Sequence, residues 1–168
     1  MSVGRIEGKR LAIRDMTDAD VAPLLAMRRE PDVVKWWGKG ANDWPADLTD
    51  GEQLLAIEVE GELAGHIELY EETADPNWRF ATLDIFVRPD LIGQGYGTEA
   101  LKLLIAFLIE ERGHHRITID PAIDNEAAVR SYEKVGFRRI GKMEKYWRDG
   151  DGNWRDSLFM ELVVEPGE

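Results

Sequence analysis

The sequence predicts a mixed α/β fold of the α+β kind, one central twisted sheet with helices flanking it. Three observations carry that expectation. Residues Phe80 to Val87 alternate in strand fashion, with Ala81, Leu83, Ile85 and Val87 on one face and Phe80, Thr82, Asp84 and Phe86 on the other. A glycine-rich turn follows, and then an apolar stretch of helical length from Thr98 to about Glu111. In chain order the elements read βααβββαβαββ, an order that packs helices on a mixed sheet. The 168 residues suit one domain spanning 1–168. At this size folding hides roughly 70% of the surface of the unfolded chain, enough for a real core.

Each element has its own signal. Lys9 to Asp15 reads as the first strand. Thr17-Asp-Ala-Asp20 resembles a capping box with Asp in place of Glu, opening a helix through Val21, Leu24, Leu25 and Arg28. Glu30 to Trp37 forms a second short helix ended by Gly38 and Gly40, and Gly40 to Gly51 a polar loop. Gln53–Val59 and Leu63–Tyr70 are strands joined at Glu60-Gly61, a hairpin signal. Glu71 to Asn77 is an acidic loop before the strand at Phe80. Arg116 to Asp120 is a short strand after the long helix. Asp124 or Asn125 caps the next helix, which stops at Gly136 with Phe137 beyond, as in a Schellman stop. Arg138–Trp147 and Asp156–Val164 close the chain as strands.

Composition excludes several classes. There is no cysteine, so disulfides, thiolate metal sites and a catalytic thiol are absent, in keeping with a cytoplasmic location. No apolar run reaches the ~18 residues of a membrane span, and Met1-Ser-Val-Gly-Arg5 lacks the apolar segment of a signal peptide. The net charge of −12 disfavours nucleic acid as a partner. Between Gly40 and Trp78 stand eleven acids and no Lys or Arg, with Trp36, Trp37, Trp44 and Trp78 in or beside the segment. Carboxylates mixed with indoles suit a cationic ligand; the plain alternative is a solvated acidic face. No metal site is expected. His114-His115 reads as a loop pair with no nearby acid or Cys to complete a set. Asp149-Gly-Asp151-Gly-Asn153 lacks the later calcium-loop residues and reads as a hairpin turn.

The strongest motif is Val87-Arg-Pro-Asp-Leu-Ile-Gly93-Gln-Gly95-Tyr-Gly97-Thr98, between a strand and a helix. Glycines let the backbone turn and a ligand approach it closely, and the helix N-terminus offers free N–H groups to phosphate. The spacing fits neither a dinucleotide fingerprint nor a Walker loop. "VRPDLIGQGYGTEALKLLIAFLIE" followed by "RITIDPAIDNEAAVRSYEKVGFRRIG" resembles the acetyl-coenzyme A core of the GNAT N-acetyltransferases over about half the chain. Ile92 departs from the Gln or Arg frequent there, which shifts the phosphates onto backbone N–H groups. "VVKWWG", "GHIELY", "LDIF" and "TIDPAIDN" resemble the aminoglycoside 6′-N-acetyltransferase branch.

The resemblance implies the GNAT acyl-CoA N-acyltransferase fold and acetyl-coenzyme A as cofactor. It places the cofactor on Ile85, Phe86 and Val87, on Ile92, Gly93, Gln94, Gly95, Tyr96, Gly97 and Thr98, and on Asn125 and Ala128. It gives Tyr132 the role of proton donor to the departing sulfur; the plain alternative is a core aromatic. Asp84, an acid in an otherwise apolar strand, is costly unless used or paired. It is the candidate general base or amine anchor, with a structural ion pair as the alternative. Trp36, Trp37, Glu68, Tyr70, Asp84 and Asp120 are the expected substrate contacts. The reading is acetylation of a primary amine on a cationic small molecule, best an aminoglycoside at its 6′ amine, by a monomer or homodimer. Its rivals are a protein or peptide N-acetyltransferase and a non-catalytic acyl-coenzyme A sensor.

Overall fold

The structure, a computed structural model, describes residues 2–40, 44, 45 and 48–167. Its strands are β1 (Arg5–Glu7), β2 (Leu11–Asp15), β3 (Glu52–Val59), β4 (Glu62–Glu72), β5 (Phe80–Val87), β6 (Arg116–Ile119), β7 (Arg138–Arg148) and β8 (Trp154–Val163). Its helices are α1 (Asp18–Arg28), α2 (Pro31–Trp37), α3 (Tyr96–Glu110) and α4 (Glu126–Val135). The strands form one sheet in the order β1-β2-β3-β4-β5-β6-β8-β7. Every pairing is antiparallel except β5 with β6, which makes the sheet mixed as expected.

The two faces carry different helices. On one, Leu55, Ile67, Leu83 and Ile85 pack with Leu101, Leu104 and Leu108 of α3 and Val129 and Tyr132 of α4. On the other, Phe86 packs with Leu24 of α1 and Val33 of α2. The alternation of β5 produces this division, since Ile85 and Phe86 must point opposite ways. At α1 the Asp20 carboxylate accepts the Thr17 N–H at 2.8 Å, as the capping signal requires.

Some boundaries differ from the expectation, each for a physical reason. The expected first strand, Lys9 to Asp15, is β2, and a further strand, β1, precedes it and pairs with it across a turn closed by Gly8 N–H donating to the Leu11 carbonyl at 2.8 Å; its three residues are too few to show a period. The expected acidic loop begins later, because β4 stays paired with β5 as far as Glu72 opposite Phe80. Helix α3 begins at Tyr96 rather than Thr98 because Gly95 at φ 83° is already its N-cap.

Candidate active site

The site begins where two strands part. Strands β5 and β6 pair only through Ala81–Ile117, Thr82–Thr118 and Leu83–Ile119. The chain leaves β6 at Asp120-Pro121, while β5 runs on through Asp84 to Val87. That last stretch of β5 keeps its β4 partners and presents an edge without a β6 neighbour. Backbone groups on such an edge look for other partners. One is found within the chain: the Trp37 indole N–H donates to the Ile85 carbonyl at 3.2 Å.

Register then lines up carboxylates across the sheet. Glu68 lies directly opposite Asp84 on the neighbouring antiparallel strand. Asp120 follows Ile119, the partner of Leu83, and so comes alongside Asp84. Like charges placed directly opposite destabilise a sheet. Glu68, Asp84 and Asp120 line a cleft of about 430 Å³ together with Trp44, Tyr70 and Tyr146. Tyr146 hydroxyl donates to Asp120 Oδ2 at 3.1 Å. A register shift between Met143 and Trp147 bulges β7 at this point, and bulges re-aim side chains.

The carboxylates do not share one character. Asp84 keeps an exposed surface toward the cleft, while the protein packed around its carboxyl, with the charges of Asp120 and Glu68, pushes it well above the usual range. Asp120 is also raised, by burial, against the pull of the Tyr146 hydrogen bond. Burial acts to raise Glu68 as well, but His66, the Trp44 indole N–H and Arg28 outweigh it and its shift is downward. Two adjacent acids thus sit in opposed environments, one favouring the anion and the other the protonated form. Tyr132 is buried on the α4 face, and burial together with Asp84 and Asp120 raises its hydroxyl. A hydroxyl so placed keeps its proton at neutral pH and can give it to a strong base.

The glycine loop fits a phosphate-bearing cofactor. Gly93 and Gly95 have φ of 81° and 83°, and a Cβ at Gly93 would meet nothing within 4 Å. Gly95 caps α3 without a side chain. The first-turn N–H groups of Tyr96, Gly97 and Thr98 therefore face outward with the positive end of the helix dipole. Arg10 supports the loop, donating to the Gln94 carbonyl at 3.2 Å and to Glu99 at 2.7 Å. Thr98 and Ser131 hydroxyls meet at 2.5 Å and fix α3 to α4. Ile92 is exposed. Asn125 caps α4, its side chain accepting the Ala128 N–H at 3.2 Å.

The structure thus brings Glu68, Tyr70, Asp84 and Asp120 to one cleft; Tyr132 is not in its lining but packs in the core, near enough for Asp84 and Asp120 to act on its hydroxyl. Trp37 instead packs edge-on against Phe86 at 5.0 Å. Trp36 stands outside the cleft lining, with Lys35 Nζ 4.7 Å from its ring centre. Of the eleven acids between Gly40 and Trp78, Asp43 and Asp47 lie outside the described residues. The sequence reading missed Tyr146, His66 and Arg28, and no periodicity marks them. It also found no acid for His114, yet Glu71 Oε1 lies 2.8 Å from His114 Nε2; strand pairing brings together what the chain keeps apart. Among the described residues no group of three metal-ligating side chains gathers, and no helix is long and apolar enough to cross a membrane.

Comparison with known proteins bears on the family and the fold. The family model of the acetyltransferase (GNAT) domain matches residues 10–138. The chain is 29% identical over 152 residues to aminoglycoside N(6′)-acetyltransferase type 1 of Klebsiella pneumoniae, covering 78% of this chain and 75% of that protein. It is 24% identical over 158 residues to spermidine N(1)-acetyltransferase of Escherichia coli K12, covering 88% and 83%. The solved structure of aminoglycoside acetyltransferase AAC(6′)-Ib with coenzyme A superposes with a TM-score of 0.73 at 25% identity, covering 91% of this chain and 94% of that one.

Proposed function

Because the chain belongs to the GNAT acetyltransferase family, we propose that it acetylates a primary amine of a polycationic small molecule, the 6′ amine of an aminoglycoside, in the cytoplasm, with antibiotic resistance as the consequence. GNAT acetyltransferases use acetyl-coenzyme A, which supplies an activated acetyl thioester when bound. The observation that carries the reading is the row Glu68, Asp84 and Asp120, three acids side by side in one cleft. A ligand with more than one positive charge is suited to such a concentration of carboxylates. The 29% identity to an aminoglycoside 6′-acetyltransferase supports the choice within that class.

The residues then have distinct work. The N–H groups at the start of α3 hold the cofactor phosphates. Glu68 binds the incoming ammonium as an anion. Asp84 takes a proton from the amine nitrogen, which its raised affinity for protons suits. The free edge of β5 offers backbone N–H groups to the carbonyl oxygen as it gains charge. Tyr132 gives its hydroxyl proton to the departing sulfur. Asp120 and Tyr146 hold a second ammonium.

The test is an amine screen read by thiol release. Aminoglycosides with a 6′ amine should turn over. Matched congeners with a 6′ hydroxyl should bind and inhibit without turnover, because the nucleophile is missing while the other ammonium groups remain. Turnover of linear polyamines alone would keep the polycationic class and discard the aminoglycoside. Turnover of peptides alone would replace the substrate, and tight acetyl-coenzyme A binding with no turnover of any amine would leave a sensor.

A further inference from the structure

Beside Glu68, on the same face of β4, lies a wholly buried imidazole. His66 exposes none of its surface. Trp44 meets it edge-on at 5.3 Å between ring centres, Phe86 lies at 5.5 Å and Trp37 at 6.3 Å. Its Nδ1 is 2.8 Å from the Leu55 carbonyl oxygen. A carbonyl can only accept, so Nδ1 carries the hydrogen. In a neutral ring Nε2 would then be a bare lone pair. That atom is buried and has no hydrogen-bond partner among the described residues, a state that costs free energy. The nearest group of use to it is Glu68 Oε1, at 3.7 Å.

A proton on Nε2 resolves the deficit. It turns an orphaned acceptor into a donor facing the Glu68 carboxylate, whose negative charge offsets the cost that burial puts on the cation. The charged groups that face the ring are Glu68 on β4, Asp84 on β5 and the buried Arg28 of α1, whose guanidinium lies 5.0 Å from the Trp37 ring centre. Strand β3 contributes the Leu55 carbonyl. Arg28 opposes a second cation, while the two carboxylates favour it.

We propose that His66 is a positioning residue of the amine site: as an imidazolium it attracts Glu68 across the 3.7 Å from Nε2 to Oε1 and keeps that carboxylate an anion turned to the substrate, leaving Asp84, directly opposite Glu68, to act as base. The inference rests on the amine-acetylating reading of the cleft and adds that amine capture depends on a proton stored inside the protein. Loss of that proton frees Glu68 to turn away and weakens amine binding with little effect on the acetyl transfer step.

Two measurements decide it. Long-range proton–nitrogen spectra of the ¹⁵N-labelled full chain at neutral pH should show both His66 nitrogens protonated, and Glu68→Gln should leave one of them bare. His66→Gln, which can still donate to Leu55, should raise the amine KM roughly tenfold, the scale of losing a partly buried charge partner. It should change kcat less than about threefold and leave acetyl-coenzyme A affinity unchanged. The wild-type amine KM should climb as pH rises through the His66 titration seen in the spectra, and His66→Gln should abolish that climb. A bare Nε2 in the wild-type spectrum overturns the proposal, as does a His66→Gln enzyme with the wild-type dependence of KM on pH. If no amine is acetylated, the functional reading fails, and the spectra still judge the His66–Glu68 pair. If His66→Gln does not fold, the Glu68→Gln spectrum decides.

Discussion

At the scale of single residues, Asp84 carries the sharpest expectation. Burial, Asp120 and Glu68 all raise its carboxyl, so activity that needs it ionised should fade on acidification at a pH above the ordinary carboxylate range. Asp120→Asn removes one neighbouring charge. It should lower the proton affinity of Asp84 and move the acid limb of kcat/KM to lower pH. An acid limb that stays in place would take Asp120 out of the electrostatics of the base. Asp84→Asn keeps the shape but can neither accept the proton nor hold the ammonium. It should cut turnover by ~10²–10⁴-fold, the usual range for a general base, with acetyl-coenzyme A affinity preserved in calorimetry. Wild-type kcat in that variant would reduce Asp84 to a structural acid. The face of Asp84 was legible, since the alternation of β5 sets it with Phe86 and opposite Ile85. Its neighbours were not, because pairing across strands brings Glu68 and Asp120 beside it.

At the scale of elements, the join between β5 and α3 and the β7 bulge do different kinds of work. Gly95 combines φ of 83° with the N-cap of a long helix, and a Cβ there would come within 3.3 Å of Arg10 Nη2. Gly95→Val meets both problems: a branched side chain is strained at positive φ, and its bulk covers the N–H groups meant for phosphate. The variant should bind acetyl-coenzyme A several-fold more weakly or worse. Calorimetry on material that still melts cooperatively checks this, and unchanged affinity would remove the loop from the cofactor site. This join was legible because strand, glycines and helix follow one another in the chain. The β7 bulge was not. Trp147 and Arg155 pair across it with no change in residue type to announce the slip, yet it aims Tyr146 at Asp120.

At the scale of the whole molecule, charge is the distinguishing property. Of the net −12, −11 falls between Gly40 and Trp78, the segment whose Glu68 lines the cleft; on the proposed function this draws a cationic substrate to that side of the protein. Added salt screens such attraction beyond about 8–10 Å. The kcat/KM for a tri- or tetracationic amine should therefore fall as salt rises, mainly through KM. A flat response would return the acidic segment to the role of a solvated face. What the sequence by itself determined is the local part: the order of strands and helices from β2 onward, the faces of β5, the caps, and the glycine turn with its outward N–H groups. Each depends on residues within a few positions of one another, so periodicity and turn chemistry reveal it. Only the tertiary structure decided that β5 and β6 part after Leu83 and Ile119, that Glu68, Asp84 and Asp120 form one row with opposed affinities for protons, and that His66 lies sealed beside Glu68. Those facts follow from register between strands far apart in the chain and from the burial that packing imposes, and a carboxylate's proton affinity is set by these surroundings rather than by its own residue type.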